Sequence, residues 1–156
     1  MNGSIIRGDG KMARIEESVE IKHPLDKVFA YTTDAKSWPK WQSVIVEAEQ
    51  TSQGPWRVGA AFKGISRMMG LSMKWTAKVT EYEPNKKWAK NITSGPMTIE
   101  ERVTYESIEG HIKFIIVYDM KVDGFLKLFS PMMVSSMRKE TKKSLSNLKS
   151  ILEAQT

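Results

Sequence analysis

From Ala13 the chain alternates. Ala13, Ile15, Glu17, Val19 and Ile21 interleave with Arg14, Glu16, Ser18 and Glu20, a period of two that predicts a strand with one buried face. At "HPLDKVFAYTTD" the period lengthens. Pro24 suits a first helical turn, and Leu25, Val28 and Phe29 recur at helical spacing. "DAKSW" then begins a second short helix, which Pro39 is expected to stop or bend, because proline supplies no N–H to the helical ladder.

Six more strand candidates follow: "VIVEAEQT", "WRVGAAFKGI", "LSMKWTAKVTEY", "KKWAKNIT", "MTIEERVTYESI" and "HIKFIIVYDMKV". The separators "SQGP", "RMMG", "EPNK", "TSGP" and "IEG" are rich in residues that favour turns. Two rows alternate most cleanly: Leu71, Met73, Trp75, Ala77 and Val79, and Ile112, Phe114, Ile116, Tyr118, Met120 and Val122. Each row is one face of a sheet turned toward something apolar.

The last stretch supplies that partner. From Gly124 to about Ala154, Phe125, Phe129, Met133, Met137, Thr141, Leu145, Leu148 and Leu152 fall at helical spacing, with Arg138, Lys139, Lys142, Lys143 and Lys149 on the polar side. Pro131 should kink or break this helix near its start. A helix of that length spans about 40 Å, enough to cross a domain. The pattern predicts an α+β fold in which one curved antiparallel sheet grips one long helix.

Composition narrows the function classes. At 156 residues the chain fits one domain able to build its own core. No apolar run approaches the ~20 residues of a membrane span, and "MNGSIIRGDGKMA" lacks the apolar block of a signal peptide. Stable membrane insertion is therefore not expected, transient membrane contact remains open, and the cytoplasm is the expected location. Zero cysteines exclude disulfides and thiolate chemistry; His23 and His111 alone fall short of a metal cluster, so neither metal nor cofactor is expected. The net charge of +6 comes from basic residues scattered without a dominant block, so nucleic acid is not an expected partner.

Several stretches in order, "VEIKHPLDKVFAYTTDAKSWPKW", "VGAAFKG", "KVTEYEPNKKW" and "SLSNLKSILEA", resemble the START-like helix-grip superfamily (Bet v 1-like, SRPBCC), in its polyketide cyclase/dehydrase-like branch. The resemblance runs from about Met12 to Ala154, which gives a single domain over 12–156 after a flexible extension over 1–11. It implies seven strands in the order 1-7-6-5-4-3-2, two short helices between strands 1 and 2, and a cavity between sheet and C-terminal helix. Members include lipid carriers, hormone receptors, cyclases and chaperone activators, so the fold by itself does not select a function.

In a meander the hairpins turn at alternate ends, so "SRMMGL", "TSGP" and "VDGF" should share one rim with the connection around "WPKWQ". Met68, Met69, Pro96, Phe125, Phe129, Met132 and Met133 would gather there, where flexible methionines suit a gate for a hydrophobic ligand. Met68 and Met69 could equally fold back on the helix. Trp41 is expected to pack between the short helices and the long one, closing one side of the cavity, with Trp38 partly exposed.

Two carboxylates break the rows assigned inward: Glu17, and Glu101 among Met97, Ile99, Val103 and Tyr105. Desolvation could suit either as an acid or base. A bulge turning it outward, or a lysine or arginine partner, would account for it without chemistry. No serine–base pair or P-loop is present. The resulting reading is non-catalytic binding of a small hydrophobic molecule, lipid- or isoprenoid-like, by Trp41, Phe62, Met73, Trp75, Met97, Ile99, Glu101, Tyr118, Phe129, Met133 and Met137. The alternatives are a cyclase/dehydrase-type enzyme acting through Glu17 or Glu101, and a chaperone-activator-like module presenting the basic helix face or the apolar rim to a protein.

Overall fold

A computed structural model describes the backbone of residues 5–7, 10–123 and 130–155, and the side chains of 13–123 and 131–155. The elements are β1 (Ile5–Arg7), β2 (Gly10–Ile21), α1 (Leu25–Thr32), a 3-10 turn (Ala35–Ser37), α2 (Trp38–Trp41), β3 (Ile45–Gln50), β4 (Ala61–Met68), β5 (Leu71–Glu83), β6 (Lys87–Ser94), β7 (Met97–Ile108), β8 (His111–Val122) and α3 (Ser130–Glu153). All strand pairs are antiparallel, in the order β1-β2-β8-β7-β6-β5-β4-β3. The seven-stranded helix-grip sheet is thus present in the expected order, from β2 to β3. Ile5–Arg7 adds a short eighth strand along the edge of β2, within the segment read as an extension.

The β8 row becomes inner face along its length and the β5 row from Trp75 onward, while Leu71 at its start is exposed and Met73 half-buried. Ile112, Phe114, Ile116, Tyr118, Met120 and Val122 of β8 are all buried, as are Trp75, Ala77 and Val79 of β5. Against them α3 lays Met133, Met137, Thr141, Leu145, Leu148 and Leu152, while Arg138, Lys139, Lys142 and Lys143 stay exposed. Pro131 is the second described residue of α3, and a kink of a longer helix there would rest on 124–129, which lie outside the described residues. Phe125 and Phe129 lie outside the described residues.

Two prolines and a tryptophan differ from expectation. Pro24 immediately precedes α1, its carbonyl accepting from the amides of Lys27 and Val28. Pro39 occupies the first turn of α2, so it opens that helix instead of stopping the turn before it. Trp56 precedes β4, which starts only at Ala61; its ring joins the core from the loop, 5.3 Å from the Trp88 ring and 5.1 Å from Phe62.

Two local features shape the inner face. Gly64 on β4 stands opposite Trp75 on β5, and a Cβ there would collide with the Trp75 indole and the Glu47 carbonyl. Only glycine lets that indole lie across the strand, where it walls the interior. Between Val79 and Glu81 the β5–β6 register shifts by a bulge, so Tyr82 also points inward, 6.0 Å from the rings of Phe29 and Trp56.

Candidate functional site

Across the middle of the sheet, β6, β7 and β8 place Lys90, Glu101 and Tyr118 in one row: Lys90 pairs in register with Glu101, and Glu101 with Tyr118. The row faces α3 because all three positions keep the parity of the apolar residues beside them. Lys90 Nζ lies 3.4 Å from Glu101 Oε1, and both side chains are about 4% exposed. Such a pair contributes little net stability, since desolvation of both charges offsets their attraction.

Lys90 has further support. Its ammonium sits 3.7 Å above the Trp38 ring centroid, with Trp88, Phe62 and Trp56 at 5.0, 5.6 and 5.9 Å. The π faces stabilise the cation where water cannot. Burial nevertheless lowers the Lys90 pKa, with Glu101 acting in the opposite direction. Burial also holds the Tyr118 phenol well above its ordinary pKa, reinforced by the Glu101 charge, so it serves as a neutral hydrogen-bonding group.

This row closes one side of a chamber of about 80 Å³. Trp38, Trp75, Ile92, Ile99, Met97, Met120 and Met137 supply much of its apolar wall, and Gln42, Ser66 and Ser94 add polar groups. The Ser94 hydroxyl donates to the Lys74 carbonyl at 2.9 Å. The indole N–H of Trp75 is buried with no hydrogen-bond partner among the described residues.

Ser66, Met68 and Met97 also line a second space of about 330 Å³ at the end of the sheet, completed by Met69, Leu71, Met73, Met132 and Met133. Of the rim expected from strand parity, Met68, Met69, Met132 and Met133 line this space; Pro96 does not, and Phe125 and Phe129 lie outside the described residues. Met69, Leu71 and Met132 are 45%, 59% and 60% exposed, so Met69 does not fold back on the helix, whereas Met68 is partly buried against the core. The β4–β5 turn has positive φ at both Met69 and Gly70, which suits a tight hairpin. Taken singly, the chamber is below the roughly 300–1,000 Å³ of typical ligand sites and the mouth is at their lower end.

The residues chosen from sequence divide among these places. Trp75, Met97, Ile99, Glu101, Tyr118 and Met137 line the chamber, whereas Met73 and Met133 line the mouth. Phe62 and Trp41 line neither. Phe62 packs behind Trp38, with ring centroids 5.2 Å apart. Trp41 ends α2; its ring meets Phe114 of β8 edge-on at 6.0 Å and its carbonyl accepts a hydrogen bond from Asn147 of α3, and it does not line the chamber. Phe129 lies outside the described residues. Glu17 is half-buried opposite Ile116 and does not line the chamber.

Trp38 reverses the expectation made for it: it is 1% exposed, its indole N–H donates to the Thr32 carbonyl at 2.9 Å, and its ring walls the chamber. The short helix turns it inward because Pro39, not Trp38, occupies the exposed position. Lys90 was also missed. Its only sequence signal was a lysine two positions after Trp88 in "KKWAK", at the parity of a buried tryptophan. Among the described residues no three metal-ligating side chains gather.

The sequence profile of a family described as polyketide cyclase / dehydrase and lipid transport matches residues 12–153. Comparison with curated proteins finds no match. Among solved structures, the Zhui aromatase/cyclase from a Streptomyces species superposes with a TM-score of 0.81 at 12% identity, covering 92% of this chain and 95% of its own. A START superfamily protein from Mycobacterium smegmatis gives 0.69 at 15% identity, covering 91% and 95%. An uncharacterized protein from Rhizobium leguminosarum gives 0.68 at 18% identity, covering 93% and 97%. At these identities the likeness is one of fold.

Proposed function

The chain belongs to the polyketide cyclase / dehydrase and lipid transport family, and on that premise we propose that it binds and carries a small hydrophobic molecule without transforming it. One observation carries the reading: a mouth of methionines adjoins an apolar chamber that has a single polar wall. Apolar surface buried at roughly 25 cal/mol per Å² would supply most of the affinity. Methionine side chains, with three rotatable bonds, can widen the passage as a ligand enters. No helix among the described residues is long and apolar enough to cross a membrane, so contact with a lipid surface would be made by the exposed rim and would be transient.

The polar wall favours carriage over catalysis. Glu101 is already neutralised by Lys90, and Tyr118 is pushed toward its protonated form. A cyclase- or dehydrase-type role through Glu101 has one observation in its favour, its place between a lysine and a phenol. Under that reading Glu101→Gln would abolish turnover of a hydrophobic substrate without abolishing its binding.

The test is native mass spectrometry of freshly purified protein, solvent extraction of whatever is bound, and titration with an apolar probe followed by tryptophan fluorescence. An extractable apolar adduct, or saturable quenching, is expected, because Trp38 and Trp75 wall the chamber. A protein that carries no adduct and shows no saturable response to the probe refutes the proposal.

A further inference from the structure

We infer that the site selects an uncharged ligand, an apolar body ending in one hydroxyl or carbonyl group, and that the Lys90–Glu101 pair sets this choice. The inference rests on the ligand-binding reading above and adds the chemical class of what is bound.

Charge inventory is the basis. Among the described residues lining the chamber, Lys90 and Glu101 are the sole charged side chains, and the described lining of the methionine mouth holds none. The two charges are opposite, 3.4 Å apart and almost fully buried, so the interior is neutral before a ligand enters. A carboxylate or ammonium head would bring an unmatched charge against a buried, already paired Lys90–Glu101 couple in a mostly apolar lining, which is strongly unfavourable. A neutral polar head brings no such charge.

The wall also offers the hydrogen bonds such a head needs. Lys90 has three N–H donors, of which one faces Glu101 and another the Trp38 ring, leaving one to donate to a ligand oxygen. Trp75 lines the same chamber, and its buried indole N–H has no partner among the described residues. Glu101 retains acceptor capacity for a hydroxyl proton. The chamber, at about 80 Å³, suits the polar end, and the apolar remainder extends toward the mouth.

The experiment compares decanol, decanoate and decylamine, which share one chain and differ in head-group charge at neutral pH, by tryptophan quenching on the wild-type protein and on Glu101→Gln and Lys90→Gln. Because any greasy pocket prefers the alcohol, the decisive reading is the change in ratio between variants. Glu101→Gln leaves Lys90 as the excess charge and should improve decanoate relative to decanol by about tenfold or more. Lys90→Gln leaves Glu101 and should do the same for decylamine; each change corresponds to about 1.4 kcal/mol or more. These opposite shifts support the inference. Ratios that do not move, or decanoate binding the wild-type protein as tightly as decanol, overturn it while leaving the binding reading intact. If no probe binds the wild-type protein, the binding reading itself fails and this inference with it. Should a variant not fold, the other variant and the wild-type comparison still decide.

Discussion

The two ends of the interior are built from different materials. At the closed end, beneath α1, Phe29 packs tilted on Tyr105 and Tyr105 edge-on to Phe114, with centroids 5.0 and 5.4 Å apart. The Tyr105 hydroxyl lies 2.6 Å from Thr32 Oγ1 and accepts from the Trp88 indole at 2.9 Å. Rigid rings with paired polar atoms leave little freedom there. At the open end the side chains are methionines, three of the surrounding large apolar residues are exposed, and space remains. The Lys90–Glu101 pair lies between the two. One sheet can therefore hold its fold at one end and keep a ligand path at the other, because stability needs only part of the core to be close-packed.

The largest break in this contrast is expected from Phe114→Ala. This side chain is fully buried at the closed end, and its truncation should cost about 3–5 kcal/mol in urea unfolding. A loss of under about 1 kcal/mol would mean that the closed end is not the stabilising half.

Alkaline titration comes next. In the unfolded chain a tyrosine ionises near pH 10, whereas burial raises both Tyr105 and Tyr118 above that in the fold. The folded state then retains more protons, so stability falls as pH rises above about 10, by up to roughly 1.4 kcal/mol per pH unit for each phenol. Lys90 acts in the opposite sense: its folded pKa is lowered, the unfolded chain holds the extra proton, and stability gains as pH rises toward 10.5. Tyrosinate absorbance should show both buried phenols ionising only as the chain unfolds.

Tyr105→Phe removes one hydroxyl from the closed end and leaves the Trp88 N–H without its acceptor, at a cost of about 1–3 kcal/mol by thermal or urea unfolding. The smallest stability effect belongs to the mouth. Met132→Ser should change stability by less than about 0.5 kcal/mol, because the side chain is 60% exposed, yet weaken an apolar probe several-fold in the fluorescence titration. A variant that left probe affinity unchanged would remove Met132 from the ligand path.

Much of this arrangement was legible in the chain. Period two placed the inner residues of β5 and β8, and turn residues placed the hairpins, so parity alone brought Met68, Met69 and Met132 to one rim. Trp38 was misread because its burial depends on where Pro39 turns the chain between a 3-10 turn and α2, a matter of single-residue phase in a four-residue helix. Lys90 was missed because lysine on a strand is ordinarily solvated, and nothing local says that four aromatic rings from Trp38, Trp56, Phe62 and Trp88 will surround it. Glu101 was visible as an irregularity, but its partner was not.

What the sequence determined by itself is the order of elements, the faces they bury and the family, since these follow from periodicity and turn chemistry acting over a few residues. What only the tertiary structure decided is the site. Its size depends on how far side chains from separate strands and α3 fill the space, and its electrostatics on a Lys90–Glu101 pairing set by the β6–β7 register. Both are long-range quantities, and a one-residue slip of a strand would carry its inward side chains to the other face.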